Sequence, residues 1–379
     1  MNVLFFLFLG TLLAWEIATM VLWIGSLFFA NLQGKSTLLP ELIILIPAHN
    51  EASVIGQTLS GLKKAPAKVM VVADHCSDNT AELASRMGVE VLVLSGRKNS
   101  TKARALAAAI ERLKDRSWTY LMILDADNVL SDNFWQVLPK ILSLSPEVVQ
   151  VEVRPSNKNT SLNTKMITVL YAFLNRVVQR GRQGLSLGAR LCGTGMIFRR
   201  DVILEKVPLK EHLGLVEDIA YQIKLMEKGI RATWTDSIYV LDEKPYTFKA
   251  GVVQGSRWLR GRLEIARQLR QLFYKKPLLA TTVACSAIPK PVFWISSALV
   301  IINSLSNLFP WKFLTPCCLV PWLFWVAPSF IFKPYRVGSE ALIFPFWQMA
   351  SQVLQLVQAQ WDRGKGWRPT RHYGSHQKG

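Results

Sequence analysis

The chain has 379 residues, 50% of them hydrophobic, and carries 45 Lys and Arg against 26 Asp and Glu, a formal net charge of +19. The apolar share is high for a soluble enzyme, while the charged residues are too many for a chain lying wholly in lipid, so apolar ends around a polar centre are expected. The basic excess gathers beside apolar segments, in Lys249–Arg270 and Arg363–Lys378, which fits an anionic membrane surface; no nucleic-acid reader motif accompanies it, so no nucleic-acid partner is expected.

The first predicted element is apolar: Val3 to Asn31 is interrupted only by Glu16 and exceeds the roughly 20 residues that span a bilayer. It begins without Lys or Arg and is too long for a cleaved signal peptide, so it reads as an anchor. Glu16 is costly in lipid and is expected to be neutral or packed against another helix. From Leu42 to about Tyr239 short apolar runs alternate with amphipathic ones. Leu42–Ile46, Val69–Val72, Val89–Leu94 and Tyr120–Leu124 read as buried strands. Glu51–Lys63, Asp78–Met87, Thr101–Leu113 and Asn133–Leu142 read as helices, with Ser77 and Ser131 near their starts to accept backbone N–H groups. Such alternation predicts an α/β fold, a parallel sheet with covering helices, whose ligand lies beyond the carboxyl ends of the strands.

Beyond Tyr246, the stretch Phe248–Phe273 sets Arg257, Arg260, Arg262, Arg267 and Arg270 among Val252, Leu259, Leu263, Ile265 and Leu269, the pattern of a helix lying in a membrane interface. Val292–Phe309 and Phe313–Phe332, parted only by Pro310, Trp311 and Lys312, predict a transmembrane hairpin. Leu342–Trp361 contains Gln348, Gln352, Gln355, Gln358 and Gln360; it reads as an interfacial helix, with a further span as the alternative. The expected organisation is an anchor at 1–34, a polar α/β domain at 35–245, interfacial helices at 246–290, a hairpin at 291–333, and an interfacial helix with a basic tail at 334–379. Basic segments on one side of three spans orient the polar domain toward the cytosol, in a multi-pass protein of the plasma or inner membrane. The five cysteines show no metal-type pairing and are expected to be structural thiols in a reducing compartment.

Five motifs carry candidate chemistry. After the first strand come Ala48-His49-Asn50-Glu51, polar groups that can hydrogen-bond a nucleotide, although a helix cap uses the same residues. After the second comes Asp74, able to accept from a base or ribose, with Asp78 and Thr80 able to start the next helix. Leu124-Asp125-Ala126-Asp127 closes an apolar strand; side chains at i and i+2 share a side of a strand, and two carboxylates held so repel unless a hard cation such as Mg²⁺ or Mn²⁺ lies near. A solvated loop pair is the plain alternative. Glu217-Asp218 opens an amphipathic segment, where paired acids serve a helix dipole or take a proton from a hydroxyl. Gln254-Gly255-Ser256-Arg257-Trp258 offers a guanidinium for a diphosphate and an indole for a sugar face, or ordinary interface anchors.

In this order and spacing, the motifs resemble those of the family 2 glycosyltransferases, in particular the membrane-bound branch of cellulose, chitin, hyaluronan and poly-N-acetylglucosamine synthases. The likeness runs from about Leu42 to Trp258. It implies a GT-A (Rossmann-like) fold in which the turn at Ala48, Asn50 and Glu51, with Asp74, holds the uridine of a UDP-sugar, and Lys102, in Lys-x-x-Ala-Leu, lies near the nucleotide. It implies that Asp125 and Asp127 contact nucleotide and metal, Asp127 as the direct ligand, and that Asp218 rather than Glu217 is the base. Arg257, with Gln254 and Trp258, is implied to close over the diphosphate and acceptor end. Gly193-Thr194-Gly195, within Leu191–Met196, looks like the acceptor-side loop, and Trp367–Arg371 is similar to a gating segment of some members. The implied reaction moves a hexose or N-acetylhexosamine to a lipid or glycan acceptor at the membrane. Processive members use more helices than three spans provide, yet the intact Gln-x-x-Arg-Trp motif keeps open a polysaccharide synthase working with a partner subunit. A non-catalytic scaffold of an assembly complex is the reading from another class, and the intact Asp125, Asp127 and Asp218 oppose it.

Overall fold

The computed structural model describes residues 17–95, 101–209, 216–275 and 325–362. In chain order the elements are α1 (residues 17–27), β1 (Leu42–Ala48), α2 (Ile55–Leu62), β2 (Lys68–Asp74), α3 (Thr80–Arg86), β3 (Glu90–Leu94), α4 (Lys102–Leu113), β4 (Tyr120–Ile123), β5 (Val129–Leu130), α5 (Phe134–Leu142) and β6 (Val148–Pro155). There follow α6 (Leu162–Phe173), a π-helical turn (Leu174–Gln179), α7 (Arg180–Gly184), β7 (Met196–Arg199), α8 (Glu217–Glu227), β8 (Thr233–Asp242), α9 (Phe248–Lys275), α10 (residues 325–331) and α11 (Phe344–Trp361). They form two compact units, one from residues 30–156 and 187–245, the other from the described parts of 1–29, 157–186 and 246–363.

The first unit is built on one sheet with strand order β3-β2-β1-β4-β7-β6-β8-β5. The strands β3, β2, β1 and β4 run parallel, β7 is antiparallel to both β4 and β6, and β8 is parallel to β6 across an irregularity at Val151/Glu152. Residues 42–46 of β1 are all almost fully buried, so both faces of the strand are covered, as a parallel sheet requires. On one face Ile44, Ile46, Met122 and Leu124 pack with Ile55 and Leu59 of α2 and Phe134, Leu138 and Ile141 of α5. The α4 helix buries Ala103, Leu106, Ala109, Ile110 and Leu113, the i, i+3, i+4 stripe that its sequence shows.

The four expected strands and four expected helices of this unit are present, with ends shifted by a few residues. The two serine caps are not. Ser77 instead donates to Asn50 Oδ1, and α3 starts behind Asp78, whose Oδ1 accepts from Thr80 N at 3.0 Å. Ser131 Oγ accepts from Tyr239 N at 3.3 Å, taken up by β8 rather than α5. A strand N–H brought alongside by tertiary structure outcompeted the local one. Thr101 does cap α4, accepting from Arg104 N at 3.3 Å.

In the second unit, Met166, Val169 and Phe173 of α6 and Val177 cluster with Trp325, Val326, Val337, Ala341 and Phe344. Residues 157–186, which lie in the middle of the chain, therefore pack with its end, a return that strand and helix alternation gives no sign of. Asn175 Nδ2 donates to Tyr335 Oη at 2.6 Å, and Trp325 stacks on Phe173 with centroids 3.8 Å apart. Helix α11 buries Gln348, Ser351 and Gln352 together with Phe344 and Ala359, while Phe346, Val353, Leu354, Val357 and Trp361 are exposed. Along α1, Ile17, Met20, Val21, Ile24 and Leu27 are exposed as well. Among the described residues no helix is long and apolar enough to cross a membrane. About half of the expected anchor, up to residue 16, and the expected hairpin as far as residue 324 lie outside the described residues, and the described remainder does not support the expected spans.

Helices α1 and α7 meet backbone to backbone. A Cβ on Gly181 would lie 2.2 Å from Leu22 O, and one on Gly184 would lie 2.0 Å from Gly25 O. Only glycine permits that approach. Replacing Gly184 with Val is expected to destabilise the protein by about 1–3 kcal/mol through overpacking. Gly61→Ala in α2, where a Cβ meets nothing within 4 Å, is expected to stabilise it by about 0.5–1 kcal/mol. Thermal unfolding of the purified full chain checks both signs.

Candidate active site

Strand β1 connects onward to β2 and β3 on one side, and β4 lies on its other side. Their parallel order opens a crevice beyond the carboxyl ends of β1 and β4, where ligands of open α/β sheets bind. Three turns reach that edge. Because β4 stops at Ile123, Asp125 and Asp127 lie on a turn, closed by Asn128 N donating to Asp125 O at 3.2 Å. The strand alternation expected for them does not apply, and each carboxylate takes a partner of its own. Asp125 Oδ1 accepts from Lys102 Nζ, and Asp127 Oδ1 accepts from Asn128 Nδ2 at 2.9 Å. Among the described residues no three of His, Cys, Asp and Glu converge as a ready metal cage.

Lys102, the first residue of α4, joins three distant parts of the chain. Besides Asp125, its Nζ donates to Gly193 O at 2.8 Å and stands 3.8 Å from Glu217 Oε1. Burial disfavours its charge, but Asp125 and Glu217 outweigh that, with Asp218 adding to them, and its pKa lies above the usual lysine value. Glu217 lies at the start of α8, where burial pushes its carboxyl up to about 7 against the pull of Lys102, helped by repulsion from Asp218 and Asp125. Asp218 Oδ2 lies 3.9 Å, and Lys102 Nζ 3.8 Å, from where a Cβ of Gly193 would be. Space is therefore not what demands glycine there; its φ of 80° is.

The loop before β7, holding Gly193, Thr194 and Gly195, is stitched down on both sides. Gly195 N donates to Ile123 O, and Val151 N to Gly195 O, each at 2.9 Å. Gln150, fully buried in β6, accepts from Cys192 N and donates to Thr194 O, each at 2.9 Å. Thr194 Oγ1 accepts from Asp125 N at 3.1 Å. The loop and the acidic turn thus form one hydrogen-bonded piece.

Of the residues expected to hold a nucleotide, Ala48 is buried at the end of β1. Asn50 Oδ1 accepts from Ser77 N at 2.7 Å and Asp78 N at 3.3 Å, which ties the turn after β1 to the one after β2. Glu51 N donates to Thr80 Oγ1 at 2.9 Å. Asp74 Oδ1 is 2.7 Å from His75 Nδ1, and its backbone oxygen is 2.6 Å from His49 Nδ1. Asn50 and His75 both adopt positive φ, 59° and 51°, which bends both turns sharply at the crevice edge. Gln254, Arg257 and Trp258 lie on α9 in the other unit and are each partly buried, Gln254 and Trp258 one turn apart on the same face. Their neighbour Gly255 has Gln355 of α11 laid against it, at 2.3 Å from a Cβ position.

Four residues of this site were not foreseen: Asn128, Gln150, Asp242 and Lys244. Asn128 Nδ2 also approaches Asp242 Oδ1 at 3.3 Å, and Asp242 accepts from the buried Lys244. The sequence hides Gln150: in Val148–Pro155 it alternates with Glu152 and Arg154 as a solvent-facing row would, yet it is fully buried and finds its partners in the loop before β7.

The sequence model described as glycosyltransferase-like family 2 matches residues 40–261, more than half of the chain. The chain belongs to this family. A probable glycosyltransferase of Bacillus subtilis, YdaM, is 25% identical over 248 residues, covering 62% of this chain and 59% of its own. A poly-beta-1,6-N-acetyl-D-glucosamine synthase of Staphylococcus aureus is 26% identical over 284 residues, 70% of this chain and 68% of its own. The chain thus spans about 60% of the first relative's length. The mannosyltransferase PcManGT of Pyrobaculum calidifontis, solved with GDP-Man and Mn²⁺, superposes with a TM-score of 0.59 at 16% identity, covering 93% of this chain and 99% of its own. That likeness establishes the GT-A fold.

In this member of the family Glu217 gives a pH signature. Folding keeps a proton on Glu217 that the unfolded chain, at its ordinary 4.5, gives up. Stability drawn from that proton is present below pH 4.5 and lost as pH rises toward about 7. Between these limits the unfolding temperature of Glu217→Gln is expected to gain on that of the unsubstituted protein; a constant difference would contradict the assignment.

Proposed function

We propose that the protein transfers a hexose or N-acetylhexosamine from a UDP-sugar to a lipid or glycan acceptor at the membrane, by direct displacement with inversion at the anomeric carbon. The observation that carries this reading is the meeting of Asp125, Lys102, Gly193 and the Glu217–Asp218 pair beyond the carboxyl ends of β1 and β4. One site needs positive charge where a diphosphate departs and a proton acceptor where a hydroxyl attacks. In this reading the Asp218 carboxylate, lying against Gly193, takes the acceptor proton as the hydroxyl oxygen bonds to the anomeric carbon. The bond from that carbon to the diphosphate oxygen breaks, and UDP leaves with the electron pair.

The acidic turn fits a hard divalent cation by its donor chemistry: two carboxylates on one turn, Asp127 already aimed by Asn128, with no third protein ligand clustered among the described residues. Cations of the Mg²⁺ kind keep waters and take substrate phosphates in place of a full protein cage. Asp127, with Asp125 beside it, would hold Mg²⁺ or Mn²⁺, which when bound supplies charge neutralisation to the diphosphate. Asn50, Glu51 and Asp74 line the same edge, where uridine is proposed to lie.

For the location, the plasma or inner membrane with the α/β unit toward the cytosol, the exposed apolar face of α11 is supporting evidence. Buried glutamines with outward Val353, Leu354, Val357 and Trp361 suit a helix whose outer neighbour is lipid. The apolar segments at 1–16 and 292–324 and the net charge of +19 point the same way.

The test is UDP release by the purified full chain supplied with UDP-glucose or UDP-N-acetylglucosamine, membrane lipids and Mn²⁺. Asp218→Asn is expected to lower kcat by about 10²–10⁴-fold, the range of a general base, and full activity in that variant would remove Asp218 from the role. Because Glu217 is poised at about 7, it is the second candidate, and a loss confined to Glu217→Gln would select it. Asp127→Ala is expected to abolish metal-dependent UDP binding in calorimetry. The intact Gln254, Arg257 and Trp258 favour one further reading, repeated addition by a polysaccharide synthase, and product length by mass spectrometry separates it from single transfer.

A further inference from the structure

Asn128 follows the acidic turn directly and is 1% exposed. Its Nδ2 donates to Asp127 Oδ1 at 2.9 Å and to Asp242 Oδ1 at 3.3 Å, and its Oδ1 accepts the Thr194 hydroxyl proton. That same Thr194 Oγ1 accepts from Asp125 N at 3.1 Å. The amide sits one way: turned over, its oxygen would face two carboxylates, and the Thr194 hydroxyl, which already accepts from Asp125 N, would lose the acceptor of its own proton. Behind it, Asp242 is held by Lys244, and Thr194 is held from its other side by Gln150. Neither Asp nor Ala reproduces this set of contacts. Aspartate would add a third carboxylate against Asp127 and Asp242, and alanine would leave buried polar groups without their partner.

We propose that Asn128 is a positioning residue that aims the Asp127 carboxylate directly and fixes the Asp125 turn to the acceptor-side loop through Thr194. The inference rests on the reading of Asp127 as the ligand of metal and diphosphate. Its logic is that a short side chain buried among rigid partners sets a carboxylate's direction, whereas a solvated carboxylate sweeps through many. Outer partners of metal-binding carboxylates typically affect metal affinity by about 10–100-fold.

Two measurements on the full-length protein test it. The first needs no ligand: thermal unfolding of Asn128→Ala, Thr194→Val and the double variant. If the amide bridges the two segments, the double variant loses less than the sum of the single losses; additive losses would overturn the bridge. The second is calorimetric titration of UDP with and without Mn²⁺ into the unsubstituted protein, Asn128→Ala, Asn128→Asp, Thr194→Val and Thr194→Ser. Asn128→Ala is expected to weaken the Mn²⁺-dependent part of UDP binding by about 10–100-fold while leaving metal-free binding in place. Asn128→Asp is expected to weaken it too, and Thr194→Ser, which keeps the hydroxyl, to bind better than Thr194→Val. Unchanged Mn²⁺-dependent affinity in Asn128→Ala, or equal losses with and without Mn²⁺, would overturn the positioning role. Should the unsubstituted protein show no Mn²⁺-dependent UDP binding while the unfolding data still show coupling, the proposed metal and donor fall and the bridge stands.

Discussion

Three carboxylates from remote parts of the chain, Asp125, Glu217 and Asp218, are brought to one partly buried place, and they cannot gather there without a counter-charge. Like charges about 4 Å apart repel by about 4 kcal/mol at an effective dielectric of about 20, and burial, with part of that cost added, raises the pKa of Glu217. Lys102 is that counter-charge: it pairs with Asp125, stands beside Glu217 and also binds the Gly193 carbonyl. Its position is poor for the helix it begins, because a cation at a helix amino end opposes the macrodipole. Glu217 and Asp218, at the start of α8, have the favourable sign. The lysine is therefore explained by the acids around it and not by α4.

What allows these groups to meet is the point in the sheet where connections diverge. Strands β1 and β4 are neighbours although β2 and β3 intervene in sequence, so the turns after β1 and β4 separate and leave a crevice. The antiparallel β7 then returns beside β4 and carries the Gly193–Gly195 loop to the same edge. A parallel strand there would have put that loop at the opposite end. The sharp bends at Asn50 and His75 and the hydrogen bonds through Asn50 Oδ1 keep the first two turns together as one surface.

Much of this was legible in residue order. Short continuous apolar runs located β1 to β4, and amphipathic stretches located α2 to α5, because each is an ordinary part of a strand and helix layer. The family resemblance, carried by Asp125, Asp127, Glu217, Asp218 and the Gln254–Trp258 motif, is borne out by the match over residues 40–261. Three things were not legible. The capping of α3 and α5 depended on partners 27 or 108 residues away, as with Ser77 and Asn50 or Ser131 and Tyr239. The packing of 157–186 with the chain's end is a choice between apolar faces that look alike in sequence. The roles of Asn128, Asp242 and Lys244 exist only once β5 and β8 have brought them together.

The two polar anchors of the acidic turn differ in a way that bears on how a donor would enter. Lys102 reaches Asp125 at the end of a flexible four-carbon stem, a point charge that can be exchanged for another cation without disturbing the backbone. Asn128 is short, buried and bonded on every side to groups that are themselves fixed, so exchange there would leave several polar atoms unpaired. The turn is accordingly rigid at Asp127 and exchangeable at Asp125. In the proposed reading, Asp127 would hold the cation with its carboxylate already aimed by Asn128. Lys102, bonded to Asp125 and to the Gly193 carbonyl and beside Glu217, would supply positive charge to the same place from where it already stands.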